Sequence, residues 1–394
     1  APRRTHDTVV TVRVWREDGR CGAATGAPDD PDTIIGAALT AAADAEPDPL
    51  GGPIDRFTPA GRGLGILDPR HDGLTDDARL EVLQDNIDGA RDAHPGIRVG
   101  RFAWSDSSIT RAFVNSRGVA QRIEATRFDT TAEVRLDDRD PIHLVDHLSG
   151  RTYADVACLP WGPTLARRAV ALTGERVDVE GPQRILLPPR ATARLVAWLA
   201  DRFDHATLTS DRTFLSRDGG VSLSPRLHLL DDGGLAGGIR TLGFDDRGTL
   251  PVPLALMREG RIAAHLLTPE QARALDLKPT GHVRGGLVTP SNLVLNAGLR
   301  TINALLSDLG GTAIEVDDLP DLSGLDEATG ALDLPFDGFV RDASGHTGVV
   351  RRCRLVGDLG TALQQVVGIA SDTDRIGHVD APALLLDGLR VEPA

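Results

Sequence analysis

Apolar and polar residues alternate along Val9-Val10-Thr11-Val12-Arg13-Val14-Trp15, most of them β-branched, and the run stops at Glu17-Asp18-Gly19. A half-buried strand alternates in this way, so the turn and the return over 20–25 predict a hairpin within residues 7–26. Residues 32–43 are alanine-rich behind Pro31, which predicts a helix. A Pro/Gly linker is expected over 47–55. The segment 68–93 contains a second helix centred on 75–83, whose acidic first turn suits the positive end of a helix dipole. Residues 97–135 read as an antiparallel meander of four short strands, 100–105, 108–115, 119–125 and 131–135. A helix is expected over 161–172. Ile185-Leu186-Leu187 is then a short strand closed by Pro188-Pro189, and an amphipathic helix follows over 190–203.

From about residue 206 the pattern turns to strands and tight turns. Residues 213–260 carry glycine–aspartate punctuation about every ten residues. Two helical pieces interrupt this texture, at 268–274 and 299–309. Residues 381–391 close the chain as a strand pair or strand–turn–strand. The fold class predicted is α+β: an α/β domain with a mixed sheet over 1–205, and a β-rich, barrel- or sandwich-like domain over 206–394.

The length of 394 residues accommodates two cores, and 41% hydrophobic with 25% charged residues is ordinary for a globular protein. The formal charge of −14 argues against nucleic acid or an anionic membrane as partner. Cys21, Cys158 and Cys353 are odd in number and lack a CxxC spacing, as reduced thiols do. Cys158, among apolar neighbours, is expected in the core. The first residues lack the apolar stretch of a signal peptide, and no apolar run approaches about 18 residues. A cytoplasmic location is expected.

Several segments resemble, in order and spacing, the TldD/PmbA family. They are Asp68-Pro69-Arg70-His71, residues 74–91, Phe113-Val114-Asn115-Ser116-Arg117-Gly118-Val119, and the segment 213–260 with its Phe-Leu strand, Asp231-Asp232 turn, glycine-rich link and Phe244-Asp245-Asp246-Arg247-Gly248. Lys278-Pro279-Thr280-Gly281-His282, Ser291-Asn292-Leu293-Val294-Leu295 and the strand at 382–391 continue the match. The resemblance implies a bacterial two-subunit zinc peptidase. Its catalytic members carry HExxxH on the helix at the domain junction, with two histidines binding zinc and the glutamate activating water, and a later cysteine completes the site. Here those helix positions fall near Ala197, Trp198 and Arg202, and residues 190–204 contain neither His nor Glu. Cys353 precedes the region, near 371–378, where the ligand would fall. The chain thus resembles the TldE/PmbA-type subunit, with no catalytic or metal residue of its own. Zinc and general base are expected from a TldD-type partner, in a heterodimer acting on a peptide or peptide-like substrate.

Other candidates have simpler readings. Asp140-Pro141-Ile142-His143-Leu144-Val145-Asp146-His147 could be a helix start with His143 and His147 on one face as zinc ligands, but a polar surface helix is the simpler expectation. Residues 233–238 are glycine-rich without the lysine of a phosphate loop, so a close backbone approach is expected. Asp231-Asp232 and Asp245-Asp246 read as turn residues. No serine has a GxSxG context. His282, Arg284 and Asn292 are the expected substrate or partner contacts; His282 and Arg284 sit in a Pro/Gly-rich loop that could equally be plain solvent loop. Two alternatives stay open: an independent hydrolase with other histidine ligands, or a structural or regulatory binding protein.

Overall fold

The computed structural model describes residues 3–48, 50, 52–54, 63–137, 140–210, 212–216 and 222–394. Parts of the linker expected at 47–55 and of the Phe-Leu strand expected from 213 lie outside these residues.

β1 (Val10–Trp15) and β2 (Cys21–Gly26) form the predicted hairpin, with Gly19 at φ 82° in its turn. α1 (Pro31–Ala43) is capped by Asp30 and buries Ile34, Ala38 and Ala42. α2 (Asp76–Asp92) starts at its Thr75 cap. β3 (Ile97–Val114), β4 (Ala120–Leu136) and β5 (Ile142–Gly150) follow as an antiparallel sheet in the order β3-β4-β5. α3 (Ala154–Ala157) and α4 (Trp161–Ala171) complete this half. Val82, Ala90, Val134, Leu136, Ile142 and Leu165 make its core, which extends to Phe339 and Val349 of the other half.

The four short strands expected over 97–135 are two long ones. β3 pairs with β4 from Ile97↔Leu136 to Val114↔Ala120, with one irregularity between Val99 and Phe102. Ser105, Ser107 and Ser108 are exposed on this ribbon, where polar side chains satisfy themselves in water without breaking the ladder. Residues 142–150, expected to be helical, are also a strand. Ile142 is buried while His143, Val145 and His147 are exposed, a period of two, and β4 offers a full set of partners.

The second half comprises β6 (Gly181–Leu187), α5 (Pro189–Ala200), α6 (His205–Leu208), β7 (Leu229–Asp231), β8 (Leu254–Arg258), β9 (Arg261–Ile262), α7 (Pro269–Ala274), β10 (Val283–Arg284), β11 (Leu287–Val288), β12 (Leu293–Leu295), α8 (Ile302–Leu309), β13 (Ala313–Val316), β14 (Ala331–Asp342), β15 (Gly345–Asp358), α9 (Leu359–Gln364), β16 (Val366–Ile376) and β17 (Val379–Pro393). Its large sheet runs β15-β14-β13-β6-β17-β12-β7-β8-β9, and β16 pairs with β17. β15 also pairs with β17, so β15, β14, β13, β6 and β17 close on themselves as a barrel. The β6–β13 and β12–β17 pairings are parallel, so the mixed sheet lies here, whereas the sheet of the first half is antiparallel. The fold is α+β. β6 precedes residue 205 yet pairs with β13 and β17, so the large sheet draws on both sides of that point.

Ile185, Leu187, Leu384 and Leu386 face the main core with Leu195, Val196 and Leu199 of α5. Leu186 and Leu385 face the other way, against Leu306 of α8. Burying each such side chain contributes about 1.5–3 kcal/mol, and the two-residue period fixes which face each joins. The expected strand–turn–strand at the end is one strand, β17. Asp387-Gly388 forms a bulge between Leu386 and Leu389, with Gly388 at φ 89°.

Among the described residues of 213–260, the strand pattern is realised only in β7 and β8. Phe214 and Leu215 are in a turn, both buried, and 232–253 is a succession of turns and loops that buries Ile239, Thr241, Phe244 and Asp245. Cys158, expected in the core, is exposed at the end of α3, where Val156 takes the inward position. Among the described residues no helix is long and apolar enough to cross a membrane.

Candidate functional site

His282, Arg284 and Asn292 meet around the end of β7. Gly281 (φ 77°) makes this possible: a Cβ there would stand 2.6 Å from the Leu250 carbonyl oxygen, so only glycine allows the close approach that turns His282 inward. His282 is 0% exposed and Asn292 1%, and Arg284 is half-buried, so the loop is not a solvent loop. Asn292 donates from Nδ2 to the Asp232 carbonyl and to Thr241 Oγ1, both at 2.9 Å, and accepts from the Arg240 backbone N–H at 3.0 Å. It thereby ties β12 to the loop after β7. A Cβ on Gly238 would stand 2.6 Å from this amide, the close approach expected of the glycine-rich link.

Asp231 is the anchor, with 0% exposure. It accepts from the Ser291 backbone N–H at 2.8 Å and from the Ser291 hydroxyl. His282 Nε2 stands 3.1 Å from Asp231 Oδ1 but off the hydrogen-bonding direction, so neither ring nitrogen has a hydrogen-bond partner. Serine, aspartate and histidine are thus together in the wrong order for nucleophilic catalysis. The carboxylate accepts from the serine hydroxyl, neither imidazole nitrogen has a hydrogen-bond partner, and all three side chains are buried. Asp245, next along the loop, accepts from the backbone N–H groups of Arg247, Thr249 and Val283, and its neighbour Asp246 points outward to Arg111 at 2.6 Å. The two aspartates therefore do not form a dyad. Burial pushes the Asp245 carboxyl up against those backbone bonds.

Three guanidiniums surround this node. Arg151, 3% exposed, donates from Nη2 to the Ile239 and Thr241 carbonyls at 2.7 and 3.0 Å. Arg284 Nη2 takes the carbonyl between them, that of Arg240, at 2.7 Å, and Arg240 Nη1 donates to the Pro290 carbonyl at 3.0 Å. Burial first, then neighbouring guanidiniums, lower Arg151 and Arg284 to about 10. Burial likewise lowers Arg240, against the pull of Asp201 and Asp231. Nearby, burial first, then Arg240, Arg284 and Arg127, lower the His378 imidazole to about 3, so it is neutral. The sequence reading missed Arg151, Arg240 and His378 as a group, because they converge only through the fold.

A separate cleft of about 380 Å³ opens between residues 63–67, residues 121–124 of β4, and Gly243-Phe244. β4 pairs with β5 from Phe128 onward, and among the described residues no strand pairs with residues 120–125 on that side. This cleft contains none of His282, Arg284 and Asn292.

The junction helix α5 carries Ala197 and Trp198 on its last turn. Arg202, just beyond, lays its guanidinium 3.8 Å over the Trp198 ring, donates to the Trp198 carbonyl at 2.7 Å and lies 3.5 Å from Glu327. A guanidinium and an indole do not ligate zinc, and no base occupies the glutamate position, so these residues do not fit the metal. His143 and His147, both outward on β5, engage Glu133 at 3.0 Å and Thr131 at 3.1 Å, while Asp146 turns to the opposite face and pairs with Arg190 at 2.5 Å. Among the described residues, no three His, Cys, Asp or Glu side chains converge in a metal-holding group.

The model of the PmbA/TldA metallopeptidase C-terminal domain matches residues 180–393, more than half of the chain. Metalloprotease PmbA of Escherichia coli O157:H7 is 22% identical over 394 aligned residues, covering 98% of this chain and 86% of that protein. A Thermotoga maritima protein described as a modulator of a DNA gyrase superposes with a TM-score of 0.85 at 18% identity, over 98% of this chain and 89% of that one. TldE from Thermococcus kodakarensis superposes with a TM-score of 0.80 at 18% identity, over 97% and 89%. These structures share the fold. By the domain it matches across residues 180–393, the chain belongs to the PmbA/TldD metallopeptidase family.

Proposed function

We propose that this chain is the TldE-type, non-catalytic subunit of a heterodimeric zinc metallopeptidase. A TldD-type partner supplies the zinc and the general base. The complex cleaves amide bonds of small or unfolded peptides, or of a peptide-like natural-product intermediate, in the cytoplasm. The observation that carries this reading is the end of α5: where catalytic family members hold zinc ligands and a glutamate, this chain has Ala197, Trp198 and Arg202, the last two joined by a cation–π contact. A solved neighbour, TldE from Thermococcus kodakarensis, supports the subunit type. The role of the chain is then to form the wall of a cavity that admits extended chains and excludes folded ones. The cleft beside residues 121–124 of β4 and the node around Asp231 are its contributions.

The test is co-expression with a TldD-type chain. The expected result is a stable complex with one zinc per heterodimer and peptide hydrolysis that vanishes when the partner's HExxxH glutamate becomes glutamine, the complex staying intact. Stoichiometric zinc and amide hydrolysis by this chain alone would overturn the proposal and restore the independent hydrolase.

A further inference from the structure

Arg151, Arg240 and Arg284 gather around one turn, and among the described residues no carboxylate lies in ion-pair range of any of them; their contacts are to the carbonyls of Thr126, Gly238, Ile239, Arg240, Thr241 and Pro290. 

Carbonyl oxygens satisfy the N–H groups but carry no net charge, so three cations share a largely buried region with their charge uncompensated at contact distance. Asp231 lies close by, but its oxygens are taken by Ser291 and face His282. Two buried polar groups are also left over: Arg284 Nε, a donor, and the His282 ring, in which at least one of the two unpartnered nitrogens carries a proton. Residues 282 and 284 are two apart on an extended segment, so their side chains leave it on the same side. Leaving a buried donor unmatched is costly, and an anionic oxygen group would answer both the charge and the donors.

We infer that the Arg240–Arg284–His282 corner is a binding site for an anionic oxygen group, a carboxylate or a phosphate, with Arg284 as its principal ligand. A guanidinium fork matches the two oxygens of such a group. The concentration of positive charge is local, since the chain as a whole carries −14. Burial lowers both Arg240 and Arg284, and at Arg284 the neighbouring Arg240 adds to it; a bound anion would raise both. Asp246 fixes the approach: it accepts from Arg111 of β3 at 2.6 Å and from the Gly285 backbone N–H at 2.5 Å, and so holds the β10–β11 turn against the long ribbon. The choice of a peptide carboxylate as the natural source rests on the peptidase reading above; the anion site itself does not.

The experiment uses the full chain, without partner or zinc, in a buffer free of phosphate and sulfate at fixed ionic strength. Thermal unfolding is followed against inorganic phosphate, N-acetyl-dialanine with a free carboxylate, and its C-terminal amide. The expected result is a saturable rise in Tm of roughly 2–4 °C with the free carboxylate and none with the amide. Arg284→Met abolishes the rise, and Arg284→Lys, which keeps the charge without the fork, weakens binding about tenfold. A rise with phosphate alone assigns the site to a free oxyanion. No saturable rise with either anion, or an equal rise in Arg284→Met, overturns the site. If Arg284→Met does not fold, the carboxylate–amide comparison on the unaltered chain decides. Because no partner is present, failure here leaves the subunit proposal standing, and failure of the complex to form leaves the anion site standing.

Discussion

Two groups of arginines in this protein are built on opposite principles. At the junction of the two halves, Arg168, Arg190 and Arg194 face Asp146, Asp317 and Asp318. Arg168 meets Asp317 at 2.8 Å and Asp146 at 3.7 Å, Arg190 meets Asp146 at 2.5 Å, and Arg194 meets Asp318 at 2.6 Å. Three cations and three anions close the set. Around the end of β7, Arg151, Arg240 and Arg284 are held by backbone carbonyls instead. The titration of the two groups differs accordingly. Burial works against Arg168, but Asp317, Asp146 and Asp318 together outweigh it and the guanidinium is raised; the bond to Asp318 raises Arg194. Burial lowers Arg151 and Arg284 to about 10. A self-neutral network is complete within the chain and fixes α4, α5 and the 317–318 segment. An uncompensated one is complete only with something added, which is the character of a site.

The sharpest way to break this comparison is to unbalance the complete network. Asp317→Ala strips Arg168 of its closest partner in a region where both side chains are largely buried, at 18% and 12% exposure. Urea unfolding should show a loss of about 3 kcal/mol, because three largely buried cations then face two anions and Arg168 keeps only its longer contacts to Asp146 and Asp318. A loss below about 0.5 kcal/mol, the scale of an exposed pair, would mean that water already compensates Arg168.

Acid tests the other group. His378 is lowered to about 3 by burial, then by Arg240, with Arg284 and Arg127 adding to it and Asp231 opposing. Its folded value lies below its unfolded value near 6.5. Its contribution to stability is therefore fully present above about pH 6.5 and is lost as the pH falls from there toward 3. The unaltered protein should lose up to roughly 1.4 kcal/mol per pH unit more than His378→Gln between pH 6.5 and 5. Parallel stability–pH curves for the two proteins would show that His378 is not held neutral by this cluster. An anion bound at Arg284 would offset the guanidinium repulsion and flatten the unaltered curve.

Much of this was legible in the sequence, and the failures have physical causes. The hairpin of β1 and β2, the helices α1, α2, α4, α5, α7 and α8, and the character of residues 197, 198 and 202 follow from local pattern. His143 and His147 misled because a spacing of four places two side chains on one face of a helix and of a strand alike; the alternation of Ile142, Leu144 and Leu148 with exposed residues decided for the strand. Ser105, Ser107 and Ser108 looked like a break because a ribbon exposed to water needs no apolar residues to stay paired. The arginine node was invisible because Arg151 meets Gly238 across 87 residues of chain. Burial of His282 depends on the close passage of Gly281 past Leu250, which no local pattern announces.

The end of α5 offers a smaller effect. Arg202→Ala removes the guanidinium from the Trp198 ring and from the Trp198 carbonyl. Stability should fall by about 1 kcal/mol, and elemental analysis of the isolated chain should show the same zinc content before and after. A change in metal content would mean that the helix end takes part in a metal site after all, and would undo the contrast with the catalytic subunit.

The least expected change is the most telling against the junction network. Arg284→Met removes a cation that no carboxylate touches, keeps most of the side-chain volume, and relieves the repulsion from Arg240. It also gives up one hydrogen bond to the Arg240 carbonyl, worth about 1 kcal/mol. These effects oppose each other, so in phosphate-free buffer the unfolding midpoint should move by less than about 1 kcal/mol in either direction. Set beside the loss of about 3 kcal/mol expected for Asp317→Ala, this difference separates an arginine that holds the fold from one kept for a ligand. A loss at Arg284 as large as that at Asp317 would make the node a structural clamp, complete without any anion, and would erase the distinction between the two groups.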